Sequence, residues 1–210
     1  MEWTISDAQG SAIVEAYLAQ LGCYSSAQTA LLRQMLLATA DLGLVDRFIF
    51  ANNALFSGCA ALAARVPIIV DVPLIQAAVS HRLGNTFGSP MYCALEVPTR
   101  ASLDESQVSW GMRTFCKHHP QGIFVVGQRI EALATLLELL KERLIEPLLV
   151  IATPPSLADY SLKKELQQVP IPLICLDSKE GHSVLASTML VNLIELAWIA
   201  YGDEALNNYW

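Results

Sequence analysis

Charged residues are scarce in this sequence, and basic ones are the scarcest. Of 210 residues only 16% are Asp, Glu, Lys or Arg, and 13 Lys plus Arg stand against 20 Asp plus Glu, a net charge of −7. Such a chain has little with which to neutralise a phosphate backbone or an anionic lipid surface, so neither nucleic acid nor membrane is an expected partner. Also missing is any run of the roughly 18 consecutive apolar residues that a membrane span requires. The nearest segment, 184–200, is interrupted by Ser187, Thr188, Asn192 and Glu195 and reads as a helix buried in a core or subunit interface. The N-terminus carries Glu2 and Asp7 and no basic stretch ahead of an apolar one, which argues against a signal peptide and for a cytoplasmic protein.

The residues that build metal and disulfide sites are equally unpatterned. Five cysteines (Cys23, Cys59, Cys93, Cys116, Cys175) are odd in number and contain no C-x-x-C pair, so they read as small buried hydrophobes. The four histidines, His81, His118, His119 and His182, form neither an H-E-x-x-H motif nor a pair at helical i, i+4 spacing. No metal site is expected. Gly127-Gln128-Arg129 lacks the second and third glycines of a dinucleotide fingerprint, which leaves NAD and FAD without support.

What the chain does have is apolar residues, 53% of the total, enough to exclude disorder and to fill a core. Ile13, Val14, Tyr17, Leu18 and Leu21 form one helical stripe; Ser25 or Ser26 caps a second helix carrying Leu31, Leu32, Met35, Leu36 and Ala38. Beyond these, short apolar runs at 47–50, 66–70, 91–97, 123–126, 148–151 and 171–176 alternate with segments of helical character. Runs of this length without polar alternation suit strands covered on both faces. The clearest unit joins Ile123-Phe-Val-Val126 to a helix with Ile130, Leu133, Leu137 and Leu140 and then to the strand 148–151, a βαβ crossover. No linker or low-complexity segment divides the chain, so the expected architecture is a single α/β domain over 1–210, its mostly parallel sheet flanked by helices on both faces.

Ligands of such sheets bind outside the carboxyl ends of the strands. The residues there are Asn52, Asn53, Asp71, Thr99, Arg100, Gln128, Arg129, Thr153 and the segment 177–183. Asp71 and Asp177 each end an apolar strand and suit either a ligand contact or a cap. Gly181-His182-Ser183 opens the last long helix and offers free amide groups to an anion.

The order of Phe48-Ile-Phe50, Val66-Pro-Ile-Ile-Val-Asp71, Arg82-Leu-Gly-Asn85, Val125-Val-Gly127 followed by Glu131-Ala-Leu133, and Gly181-His-Ser183 leading to Asn192 resembles the precorrin-8X methylmutases, from about residue 12 to about residue 197. The resemblance implies an isomerase of cobalamin biosynthesis that moves a methyl group from carbon 11 to carbon 12 of the corrin-forming macrocycle. It further implies a homodimer with sites near the subunit interface, no added cofactor, and a corrinoid or other tetrapyrrole as the small-molecule partner. Protonating the macrocycle would assist the migration, and histidine is the usual acid.

At the matching positions this chain departs from the family pattern. Leu37, in Met35-Leu-Leu-Ala38, stands where the family has its acid histidine; Tyr17 replaces a serine and Gln107 an arginine. Gly127-Gln128-Arg129-Ile-Glu-Ala-Leu133 replaces Gly-Asn-Ala-Pro-Thr-Ala-Leu, and Gly181-His182-Ser183 replaces Gly-Gly-Ser. Two readings follow. In the first, the chain is an isomerase with another acid, His182 or, second, His81 beside Arg82 and Asn85. In the second, it is a non-catalytic paralogue binding a corrinoid, another tetrapyrrole or a pathway enzyme. Expected substrate-facing residues are Tyr17, Leu37, Asp71, Arg82, Asn85, Gln128, Arg129, Gly181 and Ser183.

Overall fold

The computed structural model describes residues 5–22, 24–156 and 160–207, with side chains described from residue 8 to residue 202 within those limits. Cys23 and the side chains of the polar tail 203–210 lie outside the described residues.

The apolar runs become six strands, β1 (Phe48–Ala51), β2 (Ile68–Val70), β3 (Met91–Cys93), β4 (Ile123–Val126), β5 (Leu149–Ala152) and β6 (Leu173–Leu176). They pair in the order β1-β6-β5-β4-β2-β3, parallel throughout except that β1 runs antiparallel to β6 at one edge. The expected strand over 91–97 stops at Cys93, and a 3-10 turn, Ala94–Glu96, follows. The reason lies in the ladder: β3 pairs only with β2, and its last partner there is Val70 opposite Cys93. Beyond that pair the backbone has no strand to bond to and turns to satisfy its amides locally.

The helices are α1 (Ile5–Leu21), α2 (Ser26–Thr39), α3 (Ala54–Ala63), α4 (Pro73–Gly84), α5 (Gln107–His118), α6 (Ile130–Lys141), α7 (Ser161–Gln167) and α8 (Ser183–Asn207). Helix α2 starts on a capping box: the Gln28 amide donates to Ser25 Oγ at 3.3 Å, and the Ser25 amide donates to Gln28 Oε1 at 2.8 Å. The strand period of two sorts the sheet residues between two cores. Ile68, Val70, Ile123, Val125, Leu149 and Ile151 face α2, α3, α4 and α8, whereas Ile69, Phe124, Val126, Val150 and Ala152 face α5, α6 and α7. Both faces are covered, which is why the strands read as continuous apolar runs.

Helix α8 has the length and hydropathy of a membrane span over Ser183–Gly202. It lies instead against α2, α3 and α4, with Leu185, Ala186, Met189, Leu190, Leu193, Ile194 and Ala197 buried. About half of that apolar stretch is buried inside the chain, and Val184 and Ile199 stay exposed. In α1, Val14 and Leu18 are buried as the stripe predicts, while Ile13 is 61% exposed.

Helix α5 approaches the 3-10 turn after β3 so closely that a Cβ on Gly111 would stand 1.9 Å from the carbonyl oxygen of Ala94. Gly111→Ala must therefore separate the helix from the sheet edge. The expected loss is about 1–3 kcal/mol, measured as a lower urea midpoint with unchanged far-ultraviolet circular dichroism.

Candidate functional site

The carboxyl ends of β2, β4, β5 and β6 share one edge of the sheet, and the antiparallel β1 brings Arg47 to it from the other direction. The Asp177 amide donates to the Arg47 carbonyl at 2.7 Å, closing that corner.

At the centre of the edge Asp71, with 0% exposure, accepts from three successive amides: Gly127 N to Oδ1 at 3.1 Å, and Gln128 N and Arg129 N to Oδ2 at 2.7 Å each. Burial pushes the Asp71 carboxyl above the ordinary carboxylate range, and these amides pull it back. Both oxygens are committed to backbone, so Asp71 acts on the site by shaping the loop between β4 and α6. Gly127 is obligatory there, because a Cβ would stand 2.7 Å from Ile75 Cδ1 and 2.9 Å from the Ser183 Cα. This packing joins α4, α6 and the start of α8. Ser183 Oγ reaches Gln128 Oε1 at 3.5 Å, so two of the expected ligand residues hold each other.

Alongside runs the segment from Asp177 to His182, linking β6 to α8. Gly181 has φ +152°, and a Cβ on it would lie 2.3 Å from the Thr153 carbonyl oxygen. Thr153 Oγ1 donates to the His182 carbonyl at 3.2 Å. With its backbone so held, the exposed His182 side chain borders a cavity of about 280 Å³ whose walls include Thr39, Asp41, Leu44, Glu180 and Gly181. Arg47 Nη1 pairs with Glu180 Oε2 at 2.5 Å across the far side of the link.

Helix α7 anchors the same link. Asp177 accepts from the Tyr160 hydroxyl, from Lys164 Nζ at 2.9 Å and from Gln167 Nε2 at 3.0 Å. Burial tends to raise the Asp177 carboxyl, but these donors outweigh it and hold it down at about 2.

The remaining predicted residues are distributed more widely. Leu37 lies on the last turns of α2, 41% exposed, two residues before the cavity wall at Thr39. Tyr17 packs from α1 against the core on that side of the sheet. Arg129 is exposed at the start of α6. His81, Arg82 and Asn85 are not brought to the cavity: they occupy the end of α4, which begins beside Asp71 and runs back toward the amino edge of the sheet. Arg82 there pairs with Glu195 of α8 at 3.3 Å, twelve residues and so about 18 Å along that helix from Ser183. Asn85 Nδ2 meets His81 Nε2 at 3.1 Å. Gln107 sits at the start of α5 with its side-chain amide engaged by the Thr99 carbonyl and the Ala101 amide. Thr39, Asp41, Leu44 and Leu185 border the cavity without having been singled out from the sequence. Among the described residues no group of three or more His, Cys, Asp or Glu converges as a metal site.

Residues 7–196 match the model of the precorrin-8X methylmutase family. The chain belongs to that family. It is 26% identical over 189 residues to a cobalt-precorrin-8 methylmutase of Synechocystis, covering 83% of this chain and 87% of the relative. A cobalt-precorrin-8 methylmutase of Methanocaldococcus jannaschii is 27% identical over 177 residues, covering 83% and 82%. The crystal structure of precorrin-8X methylmutase from Thermus thermophilus superposes with a TM-score of 0.80 at 24% identity, over 94% of this chain and 99% of that one. These structures share one fold, the mixed, mostly parallel sheet between helices. Gly181 and His182 line the cavity, whereas Leu37 lies outside its lining.

The Asp177 cluster sets an acid limit on stability. Its folded-state value lies below the ordinary 3.8, so its stabilising contribution is present above about 3.8 and is lost as pH falls toward about 2. Urea midpoints measured down this range are expected to fall steeply for the native chain and less steeply for Asp177→Asn.

Proposed function

We propose that this member of the precorrin-8X methylmutase family is an isomerase acting on a corrin-forming macrocycle, with His182 as the proton donor. The observation that carries the reading is the placement of His182 on the wall of the cleft at the carboxyl edge, where Asp41 and Glu180 also line the cavity. The methyl shift is redox-neutral, so the residues required are a proton donor and groups that hold a flat ring and its carboxylate arms. Exposed Arg129 supplies a guanidinium for such an arm.

The cavity within one chain is too small for the whole substrate. At about 280 Å³ it falls below the roughly 300–1,000 Å³ typical of drug-sized ligands, and a corrin macrocycle is larger than those. A second copy of the chain would complete the site. Supporting this are four exposed apolar side chains near the carboxyl edge, Leu37, Leu42, Leu74 and Val184. Sedimentation at micromolar concentration is expected to show a dimer; a monomer would contradict the shared site.

One observation favours a second reading, in which the chain binds a corrinoid without converting it. Leu37 places an exposed apolar group where the family pattern has its acid, and Gln107 spends its side chain on backbone groups. Single-turnover conversion of anaerobically prepared precorrin-8X at stoichiometric protein separates the two. The isomerase reading expects a spectral change to the product chromophore, slowed roughly 10²–10⁴-fold by His182→Ala. No conversion together with tight product binding would establish the second reading. In that event Leu37→His, which restores the family residue, is expected to confer conversion.

A further inference from the structure

Lysine is almost never fully buried unless paired, yet Lys163 is 1% exposed. No carboxylate within ion-pair distance accounts for it among the described residues. Its ammonium donates instead to two backbone carbonyls, Ser178 O at 2.6 Å and Glu180 O at 3.2 Å. Between them the Lys179 carbonyl accepts from the Ser156 amide at 2.8 Å, and immediately after them come Gly181 and His182. A buried ammonium carries a desolvation cost that a methionine of similar length would avoid. Here it points two donors at the turn that leads into the site.

We propose that Lys163 is the positioning residue of the His182 site: its ammonium holds residues 178–180 in the turn that presents His182 to the cleft, and loss of its proton loosens that turn. Only the ligand-binding arm of the test rests on the isomerase reading; the geometry does not.

The surroundings favour such a titration. Burial lowers Lys163 to about 8, against the opposing pull of Cys175 and Asp177. Of the groups facing it from β6, Asp177 is held at about 2 and Cys175 is pushed up to about 12, so neither changes state near pH 8. On its own helix Lys164 is bound to Asp177 and Glu165 to Lys141 of α6; beyond the turn Glu180 is paired with Arg47. Tyr160, also bound to Asp177, is pushed above the ordinary tyrosine value. Lys163 is thus the group whose protonation near pH 8 reaches the turn directly. The neutral amine loses the charge assistance in both carbonyl bonds.

The test pairs a ligand-free readout with a binding one, using the whole chain. The ring-proton resonances of His182, followed by NMR from neutral to alkaline pH, are expected to shift as pH crosses about 8, and Lys163→Met is expected to abolish that step. Affinity for hydrogenobyrinic acid is expected to fall about tenfold or more across the same interval in the native chain, to be low throughout in Lys163→Met, and to stay high and flat in Lys163→Arg, whose charge persists. A His182 resonance with no step near pH 8 would overturn the proposal, as would a methionine variant with native affinity and native pH dependence. If Lys163→Met does not fold, the His182 step in the native chain and the arginine variant decide. Absence of hydrogenobyrinic acid binding with the His182 step present, and abolished in the methionine variant, would sink the isomerase reading and leave the positioning role standing.

Discussion

A single buried carboxylate ties together the edge of the sheet on which the chemistry depends. Asp71 ends β2, and the amides it collects begin α6, 56 to 58 residues further along. Three donors converging on one group that has no access to water leave few alternatives for the backbone, because any other arrangement strands a buried carboxylate. Around that fixed loop Gly127 lets Ser183 and Ile75 close in, and the start of α8 is thereby placed within reach of β5 and β6. The cleft is built from what remains at that edge.

Most of the architecture is legible in the sequence because its rule is simple. A parallel sheet covered on both faces demands uninterrupted apolar strands, and 123–126, 148–151 and 171–176 say so directly. The βαβ unit around Gly127 is legible for the same reason. The end of β3 and the reversal of β1 are not, since both depend on which strands become neighbours, and that is decided by pairings across the whole chain. The burial of α8 illustrates a similar limit: an apolar helix of that length suits a core, an interface or a bilayer, and only its contacts with α2, α3 and α4 select one.

The site divides along the same line. His182 and Gly181 are legible because they follow a strand and open a helix, and the family pattern marks His182 as a replacement. Asp41 and Thr39 carry no such mark; they reach the cleft because α2 packs against α8. Lys163 is the least legible of all. In sequence it is one of two adjacent lysines in a short polar helix, and nothing separates the buried one from Lys164, which is half-exposed. Asp71 is legible as the residue that follows a strand, but not as one whose two oxygens are both taken by the amides ahead of α6.

The antiparallel course of β1 has a consequence for how the cleft comes into being. By entering the sheet backwards, β1 delivers the end of α2 and the following 3-10 turn to the edge where β6 leaves, so the walls of the cavity come from segments around residues 39–44 and 180–185. The Arg47 to Glu180 pair spans 133 residues. Contacts of such separation must close a long loop before they are rewarded. The cleft is therefore a product of the finished chain. The central unit of β4, α6 and β5 by itself supplies neither wall.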